Sequence, residues 1–487
     1  MKPILLIHGY STEGKDNTIE DIYGSLPDQL RHWLGKNKVR ELDLSRWISL
    51  NDGISIDDVS LAMDRALKAD HADLLESGFH VIIHSTGALV TRNWIKKFSP
   101  MPSPICKLVH LAGANFGSGL AHIGKGQLAR WGRELFFGTD CGYRILNELE
   151  FGASKTLDLH IYFLQEGTRM LDDYEVQEFC IIGSQVPDRM HFMPIRYVKE
   201  DSSDSTVRTA GGNLNFSYIR ISPKDKAIHL PRHKHAELVE KRLRGNRIAD
   251  TNYVIADWWW SEDENRTPIP FAIPYETAHS GDKIGIVKGR KTRGEIMPLV
   301  RAALQTPPDR AAYLKTGELF TKAHNRTFQR AAKLKRELTE WDPQSQYEGH
   351  AQLIFRVNDQ HGNPVEDFDI FLNSKPEKGK SQVKLETMIE DKHLNRTHKG
   401  TITFYLRTRE FKNKQWKERL THVAPLDLEI TGHEPQSGDI AYVPINIRLT
   451  PDQIRALVNT FQTTVVDVTL VRLPSENVFE IHQQITK

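Results

Sequence analysis

The chain has 487 residues, 39% hydrophobic and 26% charged, a globular balance that excludes a largely disordered protein. Its length suits roughly two to four domains. Its 65 Lys and Arg against 63 Asp and Glu leave a net charge of +2, without the basic excess of a nucleic-acid-binding protein. Cys106, Cys141 and Cys180 offer neither a disulfide framework nor a CxxC zinc spacing, which fits a reducing compartment. The apolar run at 4–7 is too short for a signal peptide, and no stretch approaches the roughly 20 apolar residues of a membrane helix. Cytoplasmic synthesis as a soluble protein is expected.

Along residues 1 to about 300, apolar runs at 4–7, 39–44, 81–83, 108–111 and 179–182 alternate with amphipathic text. Val59, Met63, Leu67 and Leu74 recur at near-helical spacing over 56–75, and 88–98 reads likewise as a helix. Continuously apolar strands alternating with helices predict a mostly parallel sheet covered on both faces, the α/β class. Residues 288–340 carry 13 Lys and Arg against five Asp and Glu. They predict helices with solvated basic faces, or a surface for phospholipid headgroups or an acidic partner. From about 348 the text turns strand-like with period two, as at 352–357, 401–406 and 464–470, with turns such as His361-Gly362-Asn363-Pro364 between. That pattern predicts an all-β, sandwich-like domain. The expected division is 1–305 catalytic, with a cap inserted at about 119–178, then 306–345 as a basic helical connection, then 346–487.

The strongest chemical signal is Phe79-His80-Val81-Ile82-Ile83-His84-Ser85-Thr86-Gly87-Ala88-Leu89-Val90, a strand running through a serine into a helix. A serine on such a sharp turn presents its hydroxyl clear of the backbone, and the following amide faces any oxyanion that forms. Gly87 supplies the small residue two positions on, while Ile83 stands where the first glycine of G-x-S-x-G is usual. An N-cap serine would also suit the position.

With the early strand Ile4-Leu5-Leu6-Ile7-His8-Gly9-Tyr10-Ser11, the sequence resembles the lipase and esterase branch of the α/β-hydrolase superfamily over residues 1 to about 305. Leu111-Ala112-Gly113-Ala114-Asn115-Phe116-Gly117-Ser118 also resembles bacterial lipid-ester hydrolases of this branch, related to lecithin acyltransferase and inositol-deacylating lipases. The resemblance implies that the His8-Gly9 turn brings the Tyr10 amide beside the Thr86 amide as an oxyanion hole. It also implies the chain order serine, acid, histidine. Asp204, in Asp204-Ser205-Thr206-Val207, matches the acid loop, with Asp188 and Asp201 as alternatives. His279, after an apolar stretch and ahead of the helix-like run 295–305, matches the base. Such a triad hydrolyses carboxylic esters through an acyl-enzyme and needs no metal or organic cofactor.

His229, His233 and His235 form a rival histidine cluster. Arg232 and Lys234 beside them would repel a cation, so a basic surface loop is expected. Trp131, Leu135, Phe136, Phe137, Leu146, Leu149 and Phe151 suit an apolar cap over an acyl chain. Trp258-Trp259-Trp260 suits either a membrane interface or a strand burying alternate rings. Asp359, Glu366, Asp367 and Asp369 match no calcium loop. The expected substrate is a lipid ester, most often a phospholipid at a membrane surface. The architecture also resembles that of antibacterial lipase effectors exported by a specialised secretion system, which would imply an immunity or delivery partner. The alternatives are an esterase of small soluble esters and a non-catalytic binding protein acting through the β-domain.

Overall fold

The structure, a computed structural model, describes residues 1–8, 19–49, 51–123, 142–187, 199–224, 252–259, 266–335 and 343–475, with Lys234 and Glu237. Six parallel strands form the first sheet: β1 (Ile4–His8), β2 (Val39–Asp43), β3 (Phe79–His84), β4 (Ile105–Leu111), β5 (Gln177–Ile181) and, after two strands that leave for another sheet, β8 (Phe271–Ala272). Their order is β2-β1-β3-β4-β5-β8.

Alternate side chains of these strands enter two separate cores, which explains their unbroken apolar text. Leu5, Ile7, Val81, Ile83 and Leu108 pack with Val59, Met63, Leu67, Leu89 and Trp94 from the helices Ile56–Asp70 and Gly87–Phe98. Ile4, Leu6, Ile82, Val109 and Phe179 pack on the other face with Leu26, Leu30, Ile296, Val300, Tyr313 and Phe320. The helix expected over 56–75 is two, Ile56–Asp70 and Ala72–Ser77, broken at His71 where the backbone leaves helical angles. Ser55 and Asp58 close the first of them with a reciprocal capping box.

Ten further strands follow: β9 (Gly349–Asp359), β10 (Asp367–Ser374), β11 (Ile389–Leu394), β12 (Thr401–Lys412), β13 (Gln415–Glu418), β14 (Leu426–His433), β15 (Ile440–Tyr442), β16 (Ile445–Leu449), β17 (Thr463–Leu470) and β18 (Arg472–Pro474). They form the sheets β10-β14-β16 and β15-β18 by themselves, but the largest sheet also takes strands from earlier in the chain. The two intervening strands, β6 (Ser217–Pro223) and β7 (Tyr253–Trp259), come from the stretch expected to be catalytic and complete the larger sheet, β11-β12-β9-β17-β6-β7, with β13 on β12. β17 lies parallel to both β6 and β9 in this mixed sheet. One face packs on β10-β14-β16 through Leu353, Phe355, Phe404, Val466, Leu428 and Ile445, a sandwich core. The opposite face sends Tyr218, Ile354 and Val465 against Phe116 and Cys180 of the hydrolase-like layer.

The 306–345 stretch is more than a connector. Asp309 caps the helix Arg310–Ala331, which buries Tyr313 and Phe320 in the same core as the parallel sheet. Trp259 lies on β7 with its ring 5.1 Å from that of Tyr218, so it serves packing, while Trp260 falls outside the described residues. Asp359 accepts the amides of His361 and Asn363, Glu366 pairs with Lys399 and Asp369 with His433, so these acids serve a turn and surface pairs. No described helix is long and apolar enough to cross a membrane.

Several histidines are buried, and burial pushes the imidazoles of His80, His160 and His324 down to about 3. The unfolded chain would protonate the same groups near 6.5, so below that pH it binds more protons than the folded chain. Stability is therefore expected to fall on acidification from about pH 6.5, by on the order of 1 kcal/mol per pH unit for each such histidine. Urea unfolding at pH 7.5, 6 and 5 checks this. A midpoint unchanged down to pH 5 would show that these imidazoles do not stay neutral.

Candidate active site

Ser85 follows the last residue of β3 and precedes the helix Gly87–Phe98, at the carboxyl end of the parallel sheet. Its φ of 52° places a non-glycine residue in the left-handed region, a strained turn held by Ser85 N–H to Leu111 O (3.3 Å) and Ala114 N–H to Ser85 O (3.2 Å). The Ser85 side chain stays partly exposed while its partners are buried. Among the described residues none accepts a hydrogen bond from the Thr86 amide, which leaves it available beside the hydroxyl.

The histidine arrives on a loop after β8. Ser184 and Gln185, just past β5, both donate their amides to Thr277 O at 2.9 Å, and Ala278 bridges to Gln185 and Gly285. An added Cβ on Gly183 would stand 2.1 Å from Thr277 O, so only glycine allows this approach. His279 Nε2 then lies 3.2 Å from Ser85 Oγ, and His279 Nδ1 lies 2.9 Å from Asp204 Oδ2. The second carboxylate oxygen of Asp204 accepts the amides of Thr206 (3.1 Å) and Val207 (2.8 Å), so both oxygens of this fully buried acid are engaged. His279 N–H also donates to Asp204 O at 2.9 Å, fixing loop to loop.

The structure thus brings Ser85, Asp204 and His279 together. Asp201, the alternative acid, instead accepts Gln346 Nε2 through its carboxylate at 3.2 Å. Asp188, the His229–His233–His235 cluster, Gly9 and Tyr10 lie outside the described residues, as do Trp131, Leu135, Phe136 and Phe137 of the expected cap. His8 ends β1 opposite Asp43. Leu146, Leu149 and Phe151, also assigned to the cap, are buried.

Four residues of the site escaped sequence reasoning. His84 packs its ring 4.7 Å from that of His279 and donates Nε2–H to His279 O at 3.2 Å. Burial, then the neighbouring His279, hold its pKa well below the usual imidazole value, so it stays a neutral brace. Tyr347 receives the Glu276 amide on its hydroxyl (3.1 Å) and stacks on Tyr275, steadying the histidine loop. Tyr405 of β12 donates its hydroxyl to the carbonyls of Asp201 (2.9 Å) and Ser202 (3.0 Å), steadying the acid loop. Arg208, at the end of that loop, pairs with Glu200 and Asp391 at 2.6 Å and lies between the rings of Phe151 and Tyr405, 4.2 and 4.1 Å from their centres. Tyr347, Tyr405 and Arg208's partner Asp391 come from text distant in sequence, where no local pattern announces them.

Arg208→Met strands the buried Asp391 and the partly buried Glu200 and is expected to destabilise the chain by about 3–5 kcal/mol. Tyr405→Phe leaves the carbonyls of Asp201 and the buried Ser202 without their donor, with an expected loss of about 1–3 kcal/mol and reduced turnover from a looser acid loop. Urea unfolding of each variant, beside an ester assay, measures both. Wild-type midpoints would mean that the acid loop holds its shape without the C-terminal sheet.

No protein-family profile and no curated protein matches the chain. Among solved structures it is similar to phospholipase PlaB from Legionella pneumophila in two determinations, one in complex with thio-NAD and one without. The thio-NAD complex matches at 20% identity with a TM-score of 0.76, the other at 22% with 0.75. Each match covers 100% of this chain and 97% of the PlaB chain. The whole chain, parallel sheet and interlocked β region together, therefore has the fold of that bacterial phospholipase.

Proposed function

We propose that the protein is a serine-dependent carboxylic ester hydrolase acting on lipids, and on phospholipids in particular. The observation that carries this is the hydrogen-bonded line from Asp204 through His279 to Ser85 at the carboxyl end of the sheet. The shared fold with a phospholipase supports the substrate class.

In this reading Ser85 Oγ attacks the ester carbonyl as His279 Nε2 takes its proton. Asp204, accepting from Nδ1–H, fixes the tautomer that leaves Nε2 free and stabilises the imidazolium. The Thr86 amide donates to the tetrahedral oxyanion; Tyr10, by the family resemblance, would contribute the second donor. His279 returns the proton to the leaving alcohol, here a lysolipid, and then activates water to release the fatty acid. The strained Ser85 backbone and the buried partners hold this geometry before substrate arrives.

Hydrolysis of phospholipid vesicles, with products identified by mass, tests the proposal. Wild type should release fatty acid and lysolipid, and Ser85→Ala or His279→Ala should lower turnover by several orders of magnitude, up to roughly 10⁶. Activity confined to short soluble esters would move the substrate away from membranes. Activity surviving in Ser85→Ala would overturn the mechanism. The proposal extends to an exported, membrane-attacking effector with an immunity or delivery partner: directed to a bacterial periplasm, wild type but not Ser85→Ala would then arrest growth.

A further inference from the structure

A second cluster of chemically capable side chains lies where the hydrolase-like layer meets the C-terminal sheet. His122 belongs to the short helix Gly119–Ile123, Glu150 follows the helix Tyr143–Leu149, and His393 lies on β11. His122 Nδ1 is 2.8 Å and His393 Nε2 3.1 Å from the same oxygen, Glu150 Oε1, which also accepts the Arg396 amide at 3.1 Å. The three side chains' ligand atoms all lie within 4.8 Å of one another. The two imidazole rings meet edge to face with centres 4.6 Å apart. Glu150 and His393 are buried, while the His122 side chain keeps 27% of its surface exposed.

Two features fit this cluster to a cation better than to hydrogen bonding alone. Its donor set, two imidazoles and a carboxylate, is that of three-ligand zinc sites, where bonds of about 2.0–2.2 Å in tetrahedral array put ligand atoms roughly 3.3 Å apart. The observed 2.8 and 3.1 Å need open only by a few tenths of an ångström, while the two imidazole nitrogens, within 4.8 Å of each other, would settle to that same spacing. Three donors, moreover, converge on one buried carboxylate oxygen, a crowding that one dication in place of two imidazole protons relieves.

The backbone carrying Glu150 is fixed from both sides. A Cβ on Gly117 would stand 2.6 Å from Leu149 O and 3.1 Å from Glu150 O, and one on Gly152 only 2.4 Å from Thr401 Cγ2 of β12. Both glycines have positive φ, 89° and 76°. The carboxylate is thus held in place by close contacts with the hydrolase-like layer and with the β region, before any ion binds.

We propose that His122, Glu150 and His393 bind a divalent cation with zinc's ligand preference. The ion would join three segments that are remote in sequence and clip the C-terminal sheet to the hydrolase-like layer. Its action is structural and independent of ester hydrolysis.

The full chain, stripped with a chelator, would be titrated with Zn²⁺ and then with Co²⁺, reading stoichiometry, visible absorption and melting temperature. The expected result is one Zn²⁺ per chain, a Tm higher by several degrees with Zn²⁺ than in chelator, and Co²⁺ absorption of tetrahedral intensity. Affinity should weaken by about 100-fold in His393→Ala and in His122→Ala. The second variant alters a partly exposed side chain, so it reports on the site even where His393→Ala folds poorly. His233→Ala, in the separate histidine-rich stretch of sequence, should bind zinc as wild type does. Wild-type zinc affinity in His122→Ala, loss of zinc in His233→Ala instead, or a Tm indifferent to zinc would each overturn the proposal.

Discussion

The buried guanidinium of Arg208 is the constraint on which this architecture turns. A charge without solvent is tolerable only when opposite charges and polarisable faces surround it. Glu200 and Asp391 supply the first, and Phe151 and Tyr405 the second. Glu200 and Arg208 bracket the loop that carries Asp204, whereas Asp391 and Tyr405 lie on β11 and β12. Satisfying one cation therefore welds the acid loop to the C-terminal sheet. Ser202 and Ser205, both at positive φ, are the strain that such a compact loop carries.

The same interdependence recurs at larger scale. β6 and β7, from chain before the histidine loop, belong to a sheet whose remaining strands come after residue 348. That sheet is buried on both faces, with Leu353 and Phe355 turned to the sandwich core and Ile354 to the hydrolase-like layer. The β region is accordingly a built-in wall of the enzyme-like unit, and each of its contacts with the acid and histidine loops carries packing from one sheet to the other.

The parallel strands were legible because burial on both faces writes an unbroken apolar run, as in Val81-Ile82-Ile83. Ser85, Asp204 and His279 were legible because a strand-serine-helix text, an acid loop and a histidine loop recur in a fixed order, and the structure brings these three side chains within hydrogen-bonding reach. Other features were not written locally. The strand Ser217–Pro223 pairs with Thr464 to Val468, a partner fixed by text far downstream. The lysines and arginines of 288–340 suggested helices with solvated basic faces or a surface for anionic headgroups or an acidic partner, yet Tyr313 and Phe320 on one stripe of that stretch decide where the helix docks. Arg208 carries no local signal; its role comes from enclosure by Glu200, Asp391, Phe151 and Tyr405.

The position of β17 between β6 and β9 has a consequence for synthesis. The strand that joins the two halves of the large sheet, Thr463–Leu470, lies late in the chain, so a growing polypeptide cannot complete that sheet until this segment has left the ribosome. Tyr405 and Asp391, which hold the acid loop, also arrive long after Asp204. A nascent chain therefore carries its serine, acid and histidine for some time without the frame that aligns them. This order of emergence delays alignment of the three side chains until Thr463–Leu470 has been made.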